Sequence, residues 1–367
     1  MRTVKFVNLG KQYLTLREKI LAKFDEISKE GAYILTRELT DFESHFAEYC
    51  GTRYAIGVGN GFDALYLSLC ALNIGAGDEV ITAPNSFVAT AAAIARTGAR
   101  IVFSDVGDDM NLDPALIESA ITDRTKAIMP VHLTGRIAAM DPIVKIAQQY
   151  QIKVIEDAAQ AVGARYKGKR AGGFGVCAGF SLHPLKNLHV HGDGGIITTD
   201  ASALYHTLAA CRNHGLRNRD ECEFWGMNSR LDAIQAGIAN IKLRHLDAWN
   251  TRIRAIARLY SDDLRNYVKV PHDQDDEDPV YHCYMIRFRD RDGLRRFLAQ
   301  EGIETKVHYP IPLHLQPSAK VLGYPQGSFP MAEELSRTIL SLPIYPELED
   351  DEAHYVVDKI IQYCKNH

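Results

Sequence analysis

Apolar and polar positions along this chain follow two periods that take turns. Residues 12–50 interleave charges among Leu, Ile and Phe, which predicts helix. In YAIGVGNGFDALYLSLCAL a short apolar strand runs into glycines and then into an apolar-periodic helix. GDEVITAPNSF predicts a strand ending at Pro84, and VATAAAIARTG a helix closed by Gly98. A strand over ARIVFSDV, a helix over 114–121, a strand over KAIMPVHL, a helix over 141–150 and a strand over KVIEDAA continue the alternation. Such a pattern predicts an α/β domain built on a largely parallel sheet, with functional residues gathered at the carboxyl ends of its strands.

From about residue 165 the pattern changes. Glycines cluster in KGKRAGGFGVCAGF, and FSLHPLKN and HGDGGIITTD predict short strands joined by tight turns. Residues 230–265 read as one long helix or two end to end, and Asp273–Asp278 as an exposed acidic loop. From YHCYMIRF onward, strand–helix–strand material and a final helix over 350–365 predict a smaller C-terminal domain. A length of 367 residues agrees with two domains, and the boundary falls between 1–245 and 246–367.

Composition narrows the function only slightly. The net charge is −4 and Lys and Arg are scattered, so no basic block points to nucleic acid. No run approaches the ~18 apolar residues of a membrane helix, and MRTVKFVNLG lacks the apolar segment of a signal peptide. The seven cysteines are widely spaced with no CxxC pair. That predicts free thiols in a reducing cytoplasm, with neither a disulfide framework nor a zinc site.

Five places carry candidate chemistry. Gly57, Gly59, Asn60 and Gly61 precede a helix, where backbone amides and the helix dipole suit an anion, although a plain strand-to-helix turn has the same spacing. Asp157 ends an apolar strand, where its carboxylate needs either a cationic partner or a helix N-terminus to cap. If the segment is helical, Gln160 lies about one turn on and faces the same way. Lys186 in FSLHPLKN is flanked by Leu and Pro with no acid nearby, which suits an amine that gives up its proton, although most lysines are surface residues. His189 and His191 alternate on a predicted strand and point to one side, as polar pocket lining rather than metal ligands. His308 and Tyr309 open HYPIPLHLQP, an irregular segment that either closes over a pocket or forms a rigid surface loop.

Taken together the segments resemble the DegT/DnrJ/EryC1/StrS sugar aminotransferases, a branch of the aspartate-aminotransferase superfamily. GVGNGFDAL, TAPNSFVATAAAI, PVHLTG, VIEDAAQAVGA, FSLHPLKN, GDGG, RNHG, GMNSRLDAIQAGI, HYPIPLHLQP and LSLPIYPEL follow in family order over nearly the whole chain. The resemblance implies the fold type I architecture of pyridoxal-phosphate (PLP) enzymes: a large mixed-sheet α/β domain that binds the cofactor and a smaller C-terminal α/β domain. It matches Lys186 to the lysine that holds PLP as a Schiff base, Asp157 to the partner of the pyridine nitrogen, and Gln160 to the group near the ring hydroxyl. Phe87 matches the ring-stacking aromatic. Gly61, Phe62 and Ser181 match phosphate-binding positions, with Phe62 replacing the commoner Ser or Thr and losing its hydroxyl. His183 is a family feature beside the lysine. Asn228 matches a residue that reaches the phosphate in the neighbouring subunit, which implies a homodimer with shared sites.

The implied reaction moves an amino group from L-glutamate to a keto-sugar, for use in a lipopolysaccharide or other cell-surface polysaccharide. The run KNL…GDGG resembles members acting on 3-keto nucleotide-linked deoxysugars; HVH is unusual among them. A branch with a similar HPLKN run acts on keto-sugar acids such as 8-oxo-3,8-dideoxy-octulosonate. Three other readings compete. The family's dehydratases carry histidine in place of Lys186. A non-catalytic regulator should have lost Asp157, Gln160 or Lys186. A nucleotide-binding oxidoreductase needs a GxGxxG spacing that GVGNG lacks.

Overall fold

The computed structural model describes residues 2–366. The predicted helical stretch 12–50 is two helices, α1 (Leu9–Glu30) and α2 (Arg37–Cys50). Gly31 separates them: it adopts φ 66°, and its amide caps the Ile27 carbonyl. A left-handed glycine ends a helix in this way whatever periodicity continues beyond it.

Strand–helix alternation then runs as expected: β1 (Tyr54–Val58), α3 (Gly61–Ala71), β2 (Glu79–Thr82), α4 (Val88–Arg96) and β3 (Arg100–Phe103). It continues through the short α5 (Pro114–Ile117), β4 (Thr125–Met129), α6 (Met140–Gln149) and β5 (Lys153–Asp157). The helix predicted over 114–121 stops at Ile117 and passes into a single 3₁₀ turn. A two-residue hairpin, β6 (Arg165–Tyr166) and β7 (Lys169–Arg170), precedes β8 (Cys177–Ser181), β9 (Gly195–Thr199) and α7 (Ser202–Cys211).

Seven strands form one sheet in the order β1–β9–β8–β5–β4–β2–β3. β3, β2, β4, β5 and β8 are parallel, and β9 runs antiparallel to both β8 and β1. The sheet is therefore mixed. Strands β2, β8 and β9 are buried at every position, which is why they lack the apolar–polar alternation of a half-exposed strand. Val58, Thr82, Asp157 and Ser181 bring the carboxyl ends of four parallel strands to one edge.

Residues 230–265 form two helices end to end, α8 (Ala233–Leu243) and α9 (Leu246–Leu264). The remainder contains β10 (Glu277–Asp278), β11 (Tyr284–Arg287), α10 (Arg291–Gln300), α11 (Pro330–Thr338), β12 (Ile339–Leu342) and α12 (Asp350–Asn366). The buried apolar residues fall into two large clusters. One fills the space around the seven-stranded sheet. The other lies among α9, α10, α12 and the β11–β12 pair, and it takes in Val4, which bridges to Ile303 near the other end of the chain. Among the described residues no helix is long and apolar enough to cross a membrane.

Candidate active site

Four segments converge at the carboxyl edge of the sheet. The first is the turn between β1 and α3. Asn60 caps α3, taking the Asp63 amide on its side chain at 2.8 Å and the Ala64 amide on its carbonyl. The amides of Gly61 and Phe62 have no acceptor among the described residues. A Cβ built on Gly61 would stand 2.6 Å from that of Ser181, so only glycine lets this helix end meet the end of β8. Two free amides, a helix N-terminus and the Ser181 hydroxyl thus share one place, which suits a phosphate. The Phe62 ring turns aside and stacks on Tyr66.

Asp157 and Glu156 end β5 and serve opposite faces of it. Asp157 is buried; its Oδ2 accepts the Thr90 hydroxyl at 2.6 Å and its Oδ1 the Ala159 amide at 3.2 Å. Ser86 in turn donates to Thr90. Burial pushes the Asp157 pKa above the ordinary carboxylate value, against the pull of Thr90, the Ala159 amide and Lys186. A buried carboxylate in that state favours a cation beside it. Residues 158–164 form turns rather than a helix, so Asp157 is not a helix cap. Gln160 still reaches the site. Its Oε1 accepts the Thr134 amide at 2.8 Å, and its Nε2 approaches the Tyr309 hydroxyl at 3.4 Å.

Glu156 points the other way into a fully occupied knot. Its Oε1 accepts the amides of Phe174 and Gly175, and its Oε2 accepts the Gly172 amide and His132 Nε2. The Ala138 amide donates to His132 Nδ1, so the ring proton sits on Nε2. Burial alone would raise the Glu156 pKa; the His132 hydrogen bond and the amides outweigh it and leave it low. The His132 amide also donates to the Asp157 carbonyl, tying this knot to the strand end that carries Asp157.

Lys186 lies half-buried in the turn after β8. Burial lowers the pKa of its amine, opposed by Cys283 and Asp157. His282 and His308 face the same amine, and burial with the Lys186 charge holds both well below the ordinary imidazole value, His308 at about 4. His308 Nδ1 lies 2.8 Å from Ser341 Oγ and 3.6 Å from Cys283 Sγ. The exposed His183 shapes the turn, taking the Leu185 amide on Nδ1 while its own amide donates to Ser181 Oγ. Phe87 is 52% exposed at the start of α4, with Tyr309 5.5 Å away ring to ring.

His189 and His191 do not share a strand face. Residues 187–194 form no strand, because the Gly192 backbone (φ 148°) and a clamp by the Gln235 side chain on both His191 backbone groups set their course. His189 is buried behind the Lys186 main chain; the more exposed His191 stands edge-on to Tyr13. Asn228 is exposed, and the next residue, Ser229, receives the Gly59 amide. The structure therefore gathers Gly61, Phe62, Phe87, Asp157, Gln160, Ser181, His183, Lys186, His308 and Tyr309 around one cleft, and leaves Asn228 and His191 outside it. Thr90, His282 and Cys283 belong to the site and escape sequence reading. Thr90 sits in an alanine-rich helix and the other two before a strand, with no local signal of chemistry.

A mixed sheet with a lysine beyond its carboxyl edge and a buried carboxylate opposite is the arrangement of a fold type I PLP enzyme. The chain matches the DegT/DnrJ/EryC1/StrS aminotransferase family over residues 14–361 and belongs to it. It is 42% identical to the dTDP-3-amino-3,4,6-trideoxy-alpha-D-glucose transaminase of Streptomyces venezuelae, over 99% of this chain and 96% of that one. It is also 42% identical to a pleiotropic regulatory protein of Geobacillus stearothermophilus, over 99% of both. The structure of S. venezuelae DesV in complex with a ketimine intermediate superposes with a TM-score of 0.98 at 42% identity, covering 100% and 99% of the two chains. Further relatives are named for amination of dTDP- and UDP-linked sugars, and further solved neighbours hold the cofactor in its pyridoxal or pyridoxamine form. The chain is a keto-sugar aminotransferase that uses PLP. Its residues fit that group: free amides at a helix end for a phosphate, an under-compensated buried carboxylate for a ring cation, and an amine with a lowered pKa.

Proposed function

We propose that this enzyme moves an amino group from L-glutamate to the 3-keto group of a nucleotide-linked deoxysugar, with Lys186 as the covalent anchor of PLP. The observation that carries the reading is Lys186 itself, a half-buried amine of lowered pKa that faces Asp157 across the strand ends. Asp157 pairs with the ring nitrogen, Gln160 stands at the ring hydroxyl and Phe87 stacks on the ring. Gly61, Phe62 and Ser181 hold the phosphate, the first two through their amides. PLP supplies an electron sink for the carbanion formed at the nitrogen-bearing carbon. Lys186 Nζ would carry a proton between the substrate carbon and the cofactor carbon, in one direction in the first half-reaction and in the other in the second, a role that starts from the unprotonated amine. His308 and Tyr309 line the substrate side. His282 and His308, held neutral, add no cation that would compete with the ring nitrogen for Asp157.

A homodimer completes the site in this reading, with Asn228 serving the neighbouring subunit. Trp225, 97% exposed, and Phe224 stand three and four residues before Asn228 on the surface. Exposed Tyr33, Ile34 and Leu35 join the same region, where the Tyr33 carbonyl accepts the Ala233 amide. Apolar side chains grouped like this support a covering partner. The second apolar core, which apart from Val4 consists of residues beyond 245, supports a small domain within 246–367 beside a large one over 1–245; Leu313, Phe329, Leu335 and Ile339 pack with the larger core and join the two.

The test is a half-reaction titration. L-Glutamate should bleach the cofactor band and release 2-oxoglutarate, and a 3-keto nucleotide sugar should restore the band. Recovery only with a 4-keto sugar or a keto-sugar acid refutes the acceptor, and indifference to glutamate refutes the donor. Light scattering checks the dimer, which a monomer at micromolar concentration would exclude.

A further inference from the structure

Lys186 does its work from a turn, and a turn positions an amine only if its main chain is held. Both backbone polar groups of Lys186 are engaged. Its amide donates to the His183 carbonyl at 2.8 Å, and its carbonyl lies 3.0 Å from His189 Nδ1. A carbonyl cannot donate, so His189 carries its ring proton on Nδ1. The next residue, Asn187, is fixed separately through Nδ2 to the Val280 carbonyl at 2.8 Å and to Asn250 Oδ1 at 3.0 Å.

The setting of His189 enforces one protonation state and one tautomer. The ring lies behind the Lys186 turn and lines a cavity of about 40 Å³, bounded also by Asn8, Gln12, Tyr345 and Glu347. Burial, then the charge of Lys242 from α8, hold it neutral, with a pKa of about 3; the Lys186 carbonyl bond opposes them and His191 and His183 add to them. Glu347 from the far wall is itself pushed toward its neutral form by burial. Burial lowers Lys242 as well, to about 7, so the tautomer is set by the carbonyl contact: Nδ1–H donates and Nε2 is bare.

We propose that His189 is a positioning residue for Lys186: its Nδ1–H holds the Lys186 carbonyl and fixes the point from which the amine swings. The proposal rests on the reading of Lys186 as the cofactor's anchor. The ring meets the main-chain carbonyl of Lys186 rather than its amine, so His189 acts through Lys186. An orientation fixed in this way raises the fraction of amine conformers poised to react.

The experiment compares His189→Ala, His189→Asn and His189→Gln as apoproteins. Two rates are read: capture of added PLP, from the growth of its protein-bound absorbance, and acetylation of Lys186 by a small anhydride, from peptide mass mapping. Loss of one neutral hydrogen bond should slow capture in His189→Ala by about threefold to tenfold. Acetylation, which accepts any orientation, should stay within about twofold of wild type on the same free-energy scale. Asn places an amide N–H near the position of Nδ1 and should restore capture; Gln, whose N–H stands nearer to Nε2, should not. Wild-type capture in His189→Ala overturns the proposal, as does a defect that Asn leaves uncorrected or that slows acetylation equally, since a general loosening of the turn has those signatures. Borohydride reduction of the wild type separates the two levels. A cofactor adduct mapped to another lysine refutes the anchor reading, whereas an adduct on Lys186 with capture indifferent to residue 189 refutes only the role of His189.

Discussion

Replacing Glu156 by Gln tests the knot behind the strand that carries Asp157. The change keeps size and shape and removes one acceptor oxygen. Each carboxylate oxygen of Glu156 takes two donors: Phe174 and Gly175 amides on one, the Gly172 amide and His132 on the other. Whichever way a glutamine amide is turned, its NH₂ confronts two donors. His132 cannot switch tautomer to meet it, because the Ala138 amide already occupies Nδ1. Two buried donors are stranded at about 1–3 kcal/mol each, so the loss is about 2–6 kcal/mol against a folding free energy of about 5–15 kcal/mol. Urea unfolding followed by circular dichroism reads this as a lower midpoint. The pH dependence gives a second check. The folded-state pKa of Glu156 lies below its unfolded value, so its contribution is present above the unfolded pKa and is lost as pH falls through the folded one. The gap between wild type and Glu156→Gln should therefore be full at pH 7 and narrow below about pH 4. A gap under about 1 kcal/mol at pH 7, or one that does not change in acid, would refute the accounting of donors.

Other substitutions separate the parts of the site. Lys186→Ala should abolish transamination and the protein-linked cofactor absorbance together; retained turnover would remove Lys186 from the mechanism. Thr90→Val deletes the 2.6 Å bond to Asp157 while keeping the side-chain volume. A hydrogen bond to a charged group contributes about 1.5–3 kcal/mol, so kcat/KM should fall by about tenfold to a hundredfold, and an unchanged value would mean that the bond does not tune the carboxylate. Arg212→Met leaves Glu43, which Arg212 pairs with beneath the Gly57 backbone, buried and uncompensated. Thermal unfolding should show a loss of about 3–5 kcal/mol, and a stable variant would show that the pair is dispensable.

The α/β alternation, the strand ending at Asp157 and the turn holding Lys186 are legible in the chain because each is set by local pattern. What is not legible depends on contacts remote in sequence. The break at Gly31 needs a left-handed residue that periodicity does not report. The segment after Asp157 has the spacing of a helix but is drawn into turns, with Gln160 bound to the Thr134 amide. His189 and His191 alternate like strand residues, yet Gln235 on α8 clamps the His191 backbone and no strand forms there. Thr90 reaches the site from α4 and His282 and Cys283 from the segment before β11, and only the packed fold brings them together. Motif order supplied what local pattern lacked, since it recognises residues that the fold must assemble.

Val4 pairs with Ile303 and is buried in the C-terminal core. During synthesis Val4 must therefore wait for a partner made far later in the chain. The opening segment has no lodging of its own until α10 has formed and left the ribosome. An amino-terminal fusion would sit against this late-closing seam, and shortening the chain from the front would leave a gap in the core at its opposite end. The segment around Val4 and the C-terminal core therefore mature as one unit, and a stretch synthesised before that core folds only with it.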